Sequence, residues 1–136
     1  MRIVLVLLCL ILPGIAATTG DVVAPSDAWK RAEAGDLTII DVRTPPEWAW
    51  TGTARTAHRA NWWQISGPDG FLKDILRITG GDRDVAIALI CARGVRSSAA
   101  ARFLVQQGFS NVSDIGEGML GSADGPGWLE RDLPLD

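Results

Sequence analysis

Hydrophobic residues fall along this chain in two alternating patterns, short β-branched runs and longer amphipathic stretches, mostly closed by glycine. Val22-Val23 suits a short edge strand, and Ser26 is placed to cap a helix running to Ala34, which Gly35 ends. Thr38 to Val42 is the first compact strand. Pro45-Pro46 with Glu47 opens a short helix, because proline is tolerated in a first turn. Thr56 to Ile65 reads as a short strand and then a turn. Within Gly70 to Ile78, the apolar residues Phe71, Leu72, Ile75, Leu76 and Ile78 recur at helical spacing, and Gly80-Gly81 ends the segment. Val85 to Ile90 is continuously apolar, as a strand buried on both faces of a parallel sheet must be. A helix over Ser97 to Gln107, rich in alanine and closed by Gly108, precedes renewed strand character from Val112 to Ile115. Strands alternating with helices across short connections predict an α/β domain, a parallel sheet wrapped by helices.

The first residues follow another logic. A positive start at Met1-Arg2, an apolar run from Ile3 to Leu12, the breaker Pro13 and a small residue at Ala16 together read as a secretory signal peptide over residues 1–16. The domain then occupies residues 17–136. The run is shorter than the roughly 20 residues that cross a bilayer, so no stable membrane insertion is expected after cleavage; an uncleaved anchor is the other reading. Export points to a secreted or periplasmic protein, a bacterial periplasm first. The 136 residues, 47% apolar, allow one core and leave little room for two full domains. With 13 basic against 16 acidic side chains, the chain lacks the cationic excess that nucleic acid requires, so nucleic acid is not an expected partner. One histidine and two cysteines cannot build a Cys₄ or Cys₂His₂ zinc site, and no metal is expected. Cleavage removes Cys9 and leaves Cys91 alone, unable to form an internal disulfide in an oxidising compartment. Such a thiol is either a small buried hydrophobe or a reactive group.

Its neighbours favour reactivity. Cys91 follows the carboxyl end of a buried strand and precedes a helix N-terminus, the place where open α/β sheets bind ligands. The N–H groups of Ala92 to Arg96 can form a donor nest, the helix adds about half a positive charge, and Arg93 and Arg96 add whole ones. A thiol in such a site falls from about 8.5 to about 3.5–7.5, so Cys91 is expected as a thiolate at neutral pH. Gly94 allows a positive φ or a close backbone approach.

The segment Cys91-Ala92-Arg93-Gly94-Val95-Arg96-Ser97 resembles the C-x-x-G-x-R-S active-site loop of the rhodanese-like sulfurtransferases. Asp41-Val42-Arg43 followed by Glu47-Trp48 is similar to the family's D-V-R…E-[FWY] segment. Ala57-x-x-Ala60-Asn61, Gly108-Phe109-x-Asn111-Val112, Gly116-Glu117-Gly118 and Trp128 also match its pattern in order. The chain departs from it at Gly52 to Ala57, where the family's G-H-I-x-G-A has lost a histidine and a glycine, and at Glu117, which stands in the late glycine turn. The resemblance implies a three-layer fold, a central parallel sheet flanked by helices. It also implies transfer of a sulfane sulfur from a small anionic, thiosulfate-like donor to a thiophilic acceptor, cyanide or a thiol, through a persulfide on Cys91. Ala92 to Ser97 would form the substrate-binding loop, its N–H groups holding the persulfide sulfur, with Arg93 or Arg96 receiving the donor's sulfonate end. No cofactor is implied; a protein acting as persulfide acceptor is a further option.

Competing readings exist for each residue. A cysteine phosphatase or arsenate reductase has Cys-x₅-Arg, whereas Arg96 stands five positions after Cys91 and the cradle is one residue shorter. A Cys-His hydrolase would have to use His58, the single histidine, which falls in a scaffold stretch. Asp41, Arg43 and Glu47 form a structural ion-pair and cap cluster, or Asp41 and Arg43 support the site from behind. The pair Trp62-Trp63 fits core or edge packing better than ligand stacking. A non-turnover persulfide carrier or partner-binding module carries the same motif as an enzyme.

Overall fold

The computed structural model describes residues 20–136; Cys9 and the expected signal peptide lie outside the described residues. Five strands, β1 (Asp21–Val22), β2 (Thr38–Asp41), β3 (His58–Arg59), β4 (Ile87–Ile90) and β5 (Val112–Asp114), form one sheet in the order β1-β5-β4-β2-β3. Every pairing is parallel. Parallel neighbours need long crossovers, which the four helices α1 (Pro25–Glu33), α2 (Pro45–Thr51), α3 (Gly67–Thr79) and α4 (Val95–Gln106) help supply.

The alternation of side chains splits the core in two. Ile40, Val42, Ile87, Leu89 and Cys91 point to one face, against Phe71 and Ile75 of α3 and Ala100, Ala101 and Leu104 of α4. Ile39, Ala88 and Ile90 point to the other, against Ala28 of α1 and the C-terminal residues Ile115, Met119 and Trp128. β4 is central and buried along its whole length, as its unbroken apolar run requires. The three-layer α/β fold expected from the sequence is therefore the observed one, and β3 with the turns after it occupies the ambiguous Thr56–Ile65 stretch.

Strand ends move by one or two residues, β4 beginning at Ile87 instead of Val85, and three helix starts differ. The cap of α1 is Ala24, with Pro25 at the first helical position, so Ser26 lies inside the helix. α3 begins at Gly67, three residues before the expected start, because Pro68 fits its first turn as Pro25 and Pro45 fit theirs. α4 begins at Val95, two residues early, which places Arg96 in the helix. The two departures from the family pattern are also absorbed. Thr56 keeps a glycine-like φ of 71°, its N–H held by Asp136 Oδ2 at 2.9 Å. Glu117 turns inward, accepting the Gly127 N–H at 2.9 Å and a two-pronged contact from Arg131.

Candidate active site

β4 delivers Cys91 at its carboxyl end, 1% exposed, and the chain turns through Ala92, Arg93 and Gly94 into α4. The Gly94 N–H donates to Cys91 Sγ at 3.1 Å, and the Ser97 hydroxyl lies 3.3 Å from the same sulfur. Gly94 has φ 88°, and a Cβ there would strike the Gly116 carbonyl, so glycine is required on two counts. Gly118, with φ 71°, lies so close to the Ala92 carbonyl that a Cβ would collide with it. The strap after β5 thereby buttresses the loop: Met119 N–H donates to the Cys91 carbonyl at 2.8 Å and Leu120 N–H to that of Ala92 at 2.9 Å.

The two arginines of the loop have different circumstances. Arg93 is exposed and makes one long contact, 3.3 Å from Nη1 to the Gly121 carbonyl. Arg96, one of the two loop cations expected to receive the donor's sulfonate end, has a side chain only 11% exposed. Its Nη1 and Nη2 donate to Glu47 Oε2 and Oε1, both at 2.7 Å, and its guanidinium lies over the Trp63 ring at 4.4 Å. The early start of α4 is the reason, since the first helical turn aims this side chain at α2. Hydrogen bonding to Glu47 raises the Arg96 pKa against the opposing effect of burial, with the charges of Glu47, Cys91 and Asp41 adding. The same contact, reinforced by the Thr44 N–H and hydroxyl, lowers the Glu47 pKa to about 2.

Asp41 and Arg43 sit one layer further back, both essentially buried. Arg43 donates to both carboxylate oxygens of Asp41, to Thr51 Oγ1 at 2.9 Å and to the Gly52 carbonyl at 2.8 Å. The pair therefore pins α2 to β2, and α2 presents Glu47 to Arg96. His58 is on the edge strand β3, exposed and separated from β4 by β2, so it is not assembled with the thiol. Trp62 packs edge-on against Phe71, as expected; Trp63 is 65% exposed and serves Arg96 instead. Ser97 was expected only as a loop member, yet it is buried against the sulfur. Asp114, not foreseen from the sequence, lies beside that serine at the end of β5.

Residues 24–122 match the family model of the rhodanese-like domain. The thiosulfate sulfurtransferase GlpE of Haemophilus influenzae is 30% identical over 115 residues, covering 84% of this chain and 92% of that one. Among solved structures, the polysulfide-sulfur transferase homodimer of Wolinella succinogenes is 26% identical at a TM-score of 0.65, over 87% of this chain and 79% of that one. A rhodanese-related protein of Thermoplasma volcanium is 28% identical at a TM-score of 0.59, over 85% and 97% of the two chains. With the match to the family model over most of its length and the GlpE relative at 30% identity, the chain belongs to the rhodanese-like domain family.

Proposed function

We propose that this protein transfers a sulfane sulfur from a thiosulfate-like donor to a thiophilic acceptor through a persulfide on Cys91. The observation that carries the reading is the Cys91 sulfur at the start of α4, receiving the Gly94 N–H at 3.1 Å. The Cys91 thiolate attacks the outer sulfur of the donor; the donor's S–S bond breaks and sulfite departs with the electron pair. The outer sulfur of the resulting persulfide carries negative charge, for which the loop's N–H donor and the helix N-terminus are suited. Cyanide or a thiol then attacks that sulfur, and Cys91 leaves as the thiolate. Arg93, exposed beside the loop, suits the anionic end of the donor; Arg96 instead sets the loop's position, because Glu47 occupies its guanidinium.

GlpE and the polysulfide-sulfur transferase, by their names, handle sulfur of this kind, and that similarity supports the reading. The short Cys-x₄-Arg cradle and its paired arginine favour sulfur transfer over phosphate chemistry. Export under residues 1–16, to a bacterial periplasm, is part of the proposal, supported by the apolar run from Ile3 to Leu12; N-terminal sequencing of the mature protein should begin near Ala17. Thiocyanate formation from thiosulfate and cyanide tests the activity. It should be abolished in Cys91→Ser, whose hydroxyl stays protonated at neutral pH. Activity surviving that change would overturn the mechanism, whereas sulfur uptake without thiocyanate would identify a carrier.

A further inference from the structure

Asp114, the last residue of β5, stands two positions after Val112, which belongs to the α4 face of the core, so the Asp114 side chain faces α4 as well. It is 6% exposed, and its Oδ1 is buried without a hydrogen-bond partner, a condition shared among the described residues by Trp48 Nε1 alone. Asp114 stands in the wall of a cavity of about 470 Å³ between α4, the end of β1 and the strap after β5. Three further charges line it: Arg93 from the active-site loop, Arg102 from α4 and Asp124 from the strap. Asp124 is held at the end of β5, since its N–H donates to Ser122 Oγ at 3.1 Å, the Ser122 hydroxyl donates to the Gly116 carbonyl at 2.8 Å, and a Cβ on Gly116 would strike Asp124 Oδ2. Among the described residues none of these four charged side chains is in an ion pair.

Opposite charges on one cavity wall, unpaired with each other and one of them buried, fit a ligand that carries both signs. We propose that this cavity binds a small zwitterion with an α-amino-acid head, its ammonium group donating to the Asp114 carboxylate beside Asp124 and its carboxylate accepting from Arg102. The ammonium brings a donor to a carboxylate whose Oδ1 has none, whereas a ligand of one sign leaves either the carboxylates or the guanidinium unmatched. The volume falls within the roughly 300–1,000 Å³ of small-molecule sites and leaves room for a side chain beside Val22 and Val95. Cys91 is not in the wall, but Arg93, Gly94 and Val95 of its loop are, and the Gly94 N–H is the donor to Cys91 Sγ, so a bound ligand touches the loop that holds the sulfur. The head group has two sources. An amino thiol would be the sulfur acceptor: its thiolate attacks the outer persulfide sulfur, the S–S bond breaks and Cys91 leaves as the thiolate. A thiol-free amino acid would act on the loop alone. Binding stands independently of the persulfide reading; its effect on transfer rests on that reading.

The test is calorimetric titration of the protein with L-serine, which has the head group without a thiol, and with its single-charge relatives ethanolamine and 3-hydroxypropionate. L-Serine should bind with a Kd of about 1 mM or tighter, and each relative at least about tenfold more weakly, the size of one hydrogen bond to a charged group. Asp114→Asn and Arg102→Gln should each weaken L-serine by a similar factor. No binding of L-serine at about 10 mM, or equal binding of L-serine and ethanolamine, would overturn the inference, and both are read on the unaltered protein, whatever the variants do to folding. The two sources separate on the sulfur-loaded protein. If the ligand is an amino thiol, L-serine competes with L-cysteine for discharge of Cys91; if it is a thiol-free amino acid, L-serine changes the rate of discharge by cyanide. L-Serine with neither effect would overturn the assignment. Failure of the nucleophile reading is distinct, since it abolishes sulfur loading and leaves the titrations unchanged.

Discussion

Glu47 and Asp114 are two carboxylates near the active-site loop, and their surroundings are opposite. Glu47 accepts from Arg96 with both oxygens and from the Thr44 N–H and hydroxyl, so its ionised form is fully engaged. Asp114 is deeper and has one oxygen without a partner. Burial opposes the charge at both positions, but the guanidinium outweighs it at Glu47 and nothing does at Asp114. One side of the loop is thus fixed by saturated bonds, and the other holds a group able to change its protonation.

The largest effect should come from breaking the fixed side at its root. Arg43→Ala leaves Asp41 buried and uncompensated, and denaturant unfolding should show a loss of about 3–5 kcal/mol. Glu47→Gln breaks the grip on Arg96 in a more open position, with a smaller loss of about 1 kcal/mol. Its pH signature is more specific. Because the Glu47 pKa in the folded chain is lowered from 4.5 to about 2, its stabilisation is full above about 4.5 and lost as pH falls through about 2. Urea midpoints across that window should fall less steeply with acid in the glutamine variant. Asp114 has the reverse sign. With its folded pKa raised above 3.8, it favours folding at low pH, and this contribution is lost as pH rises through the folded value. Asp114→Asn should therefore gain stability relative to wild type on the neutral side. The smallest change in stability, within about 0.5 kcal/mol, is expected for Arg93→Ala, whose exposed side chain makes one long contact. Its effect should appear instead as a raised KM for thiosulfate in the thiocyanate assay.

The sheet, the central position of Val85 to Ile90 and the cysteine at its end are legible in the sequence because each depends on local pattern: an apolar run, then Gly94 before a helix. The prolines at 25 and 68 mark helix starts two and three residues before those read from the Ser26 cap and from the apolar spacing after Gly70, since proline fits a first turn without a capping side chain. That shift has little functional consequence at α1 and α3. At α4 an equally small shift decides the role of Arg96, because one helical turn separates an exposed cation from a clamp on Glu47. Glu47 and Arg96 are 49 positions apart, so no periodicity in the chain pairs them. Glu117 likewise stands in the sequence only as a departure from a glycine turn, and its partner Arg131 becomes visible once the C-terminal segment folds back.

The central claim is that the Cys91 sulfur accepts and passes on a sulfur atom, and intact mass spectrometry of the mature protein after thiosulfate treatment tests it most directly. The account predicts the mass of one added sulfur atom on the wild-type chain, removed by a thiol reductant or by cyanide and absent from Cys91→Ser. An unchanged wild-type mass, or the same addition on the serine variant, would contradict it.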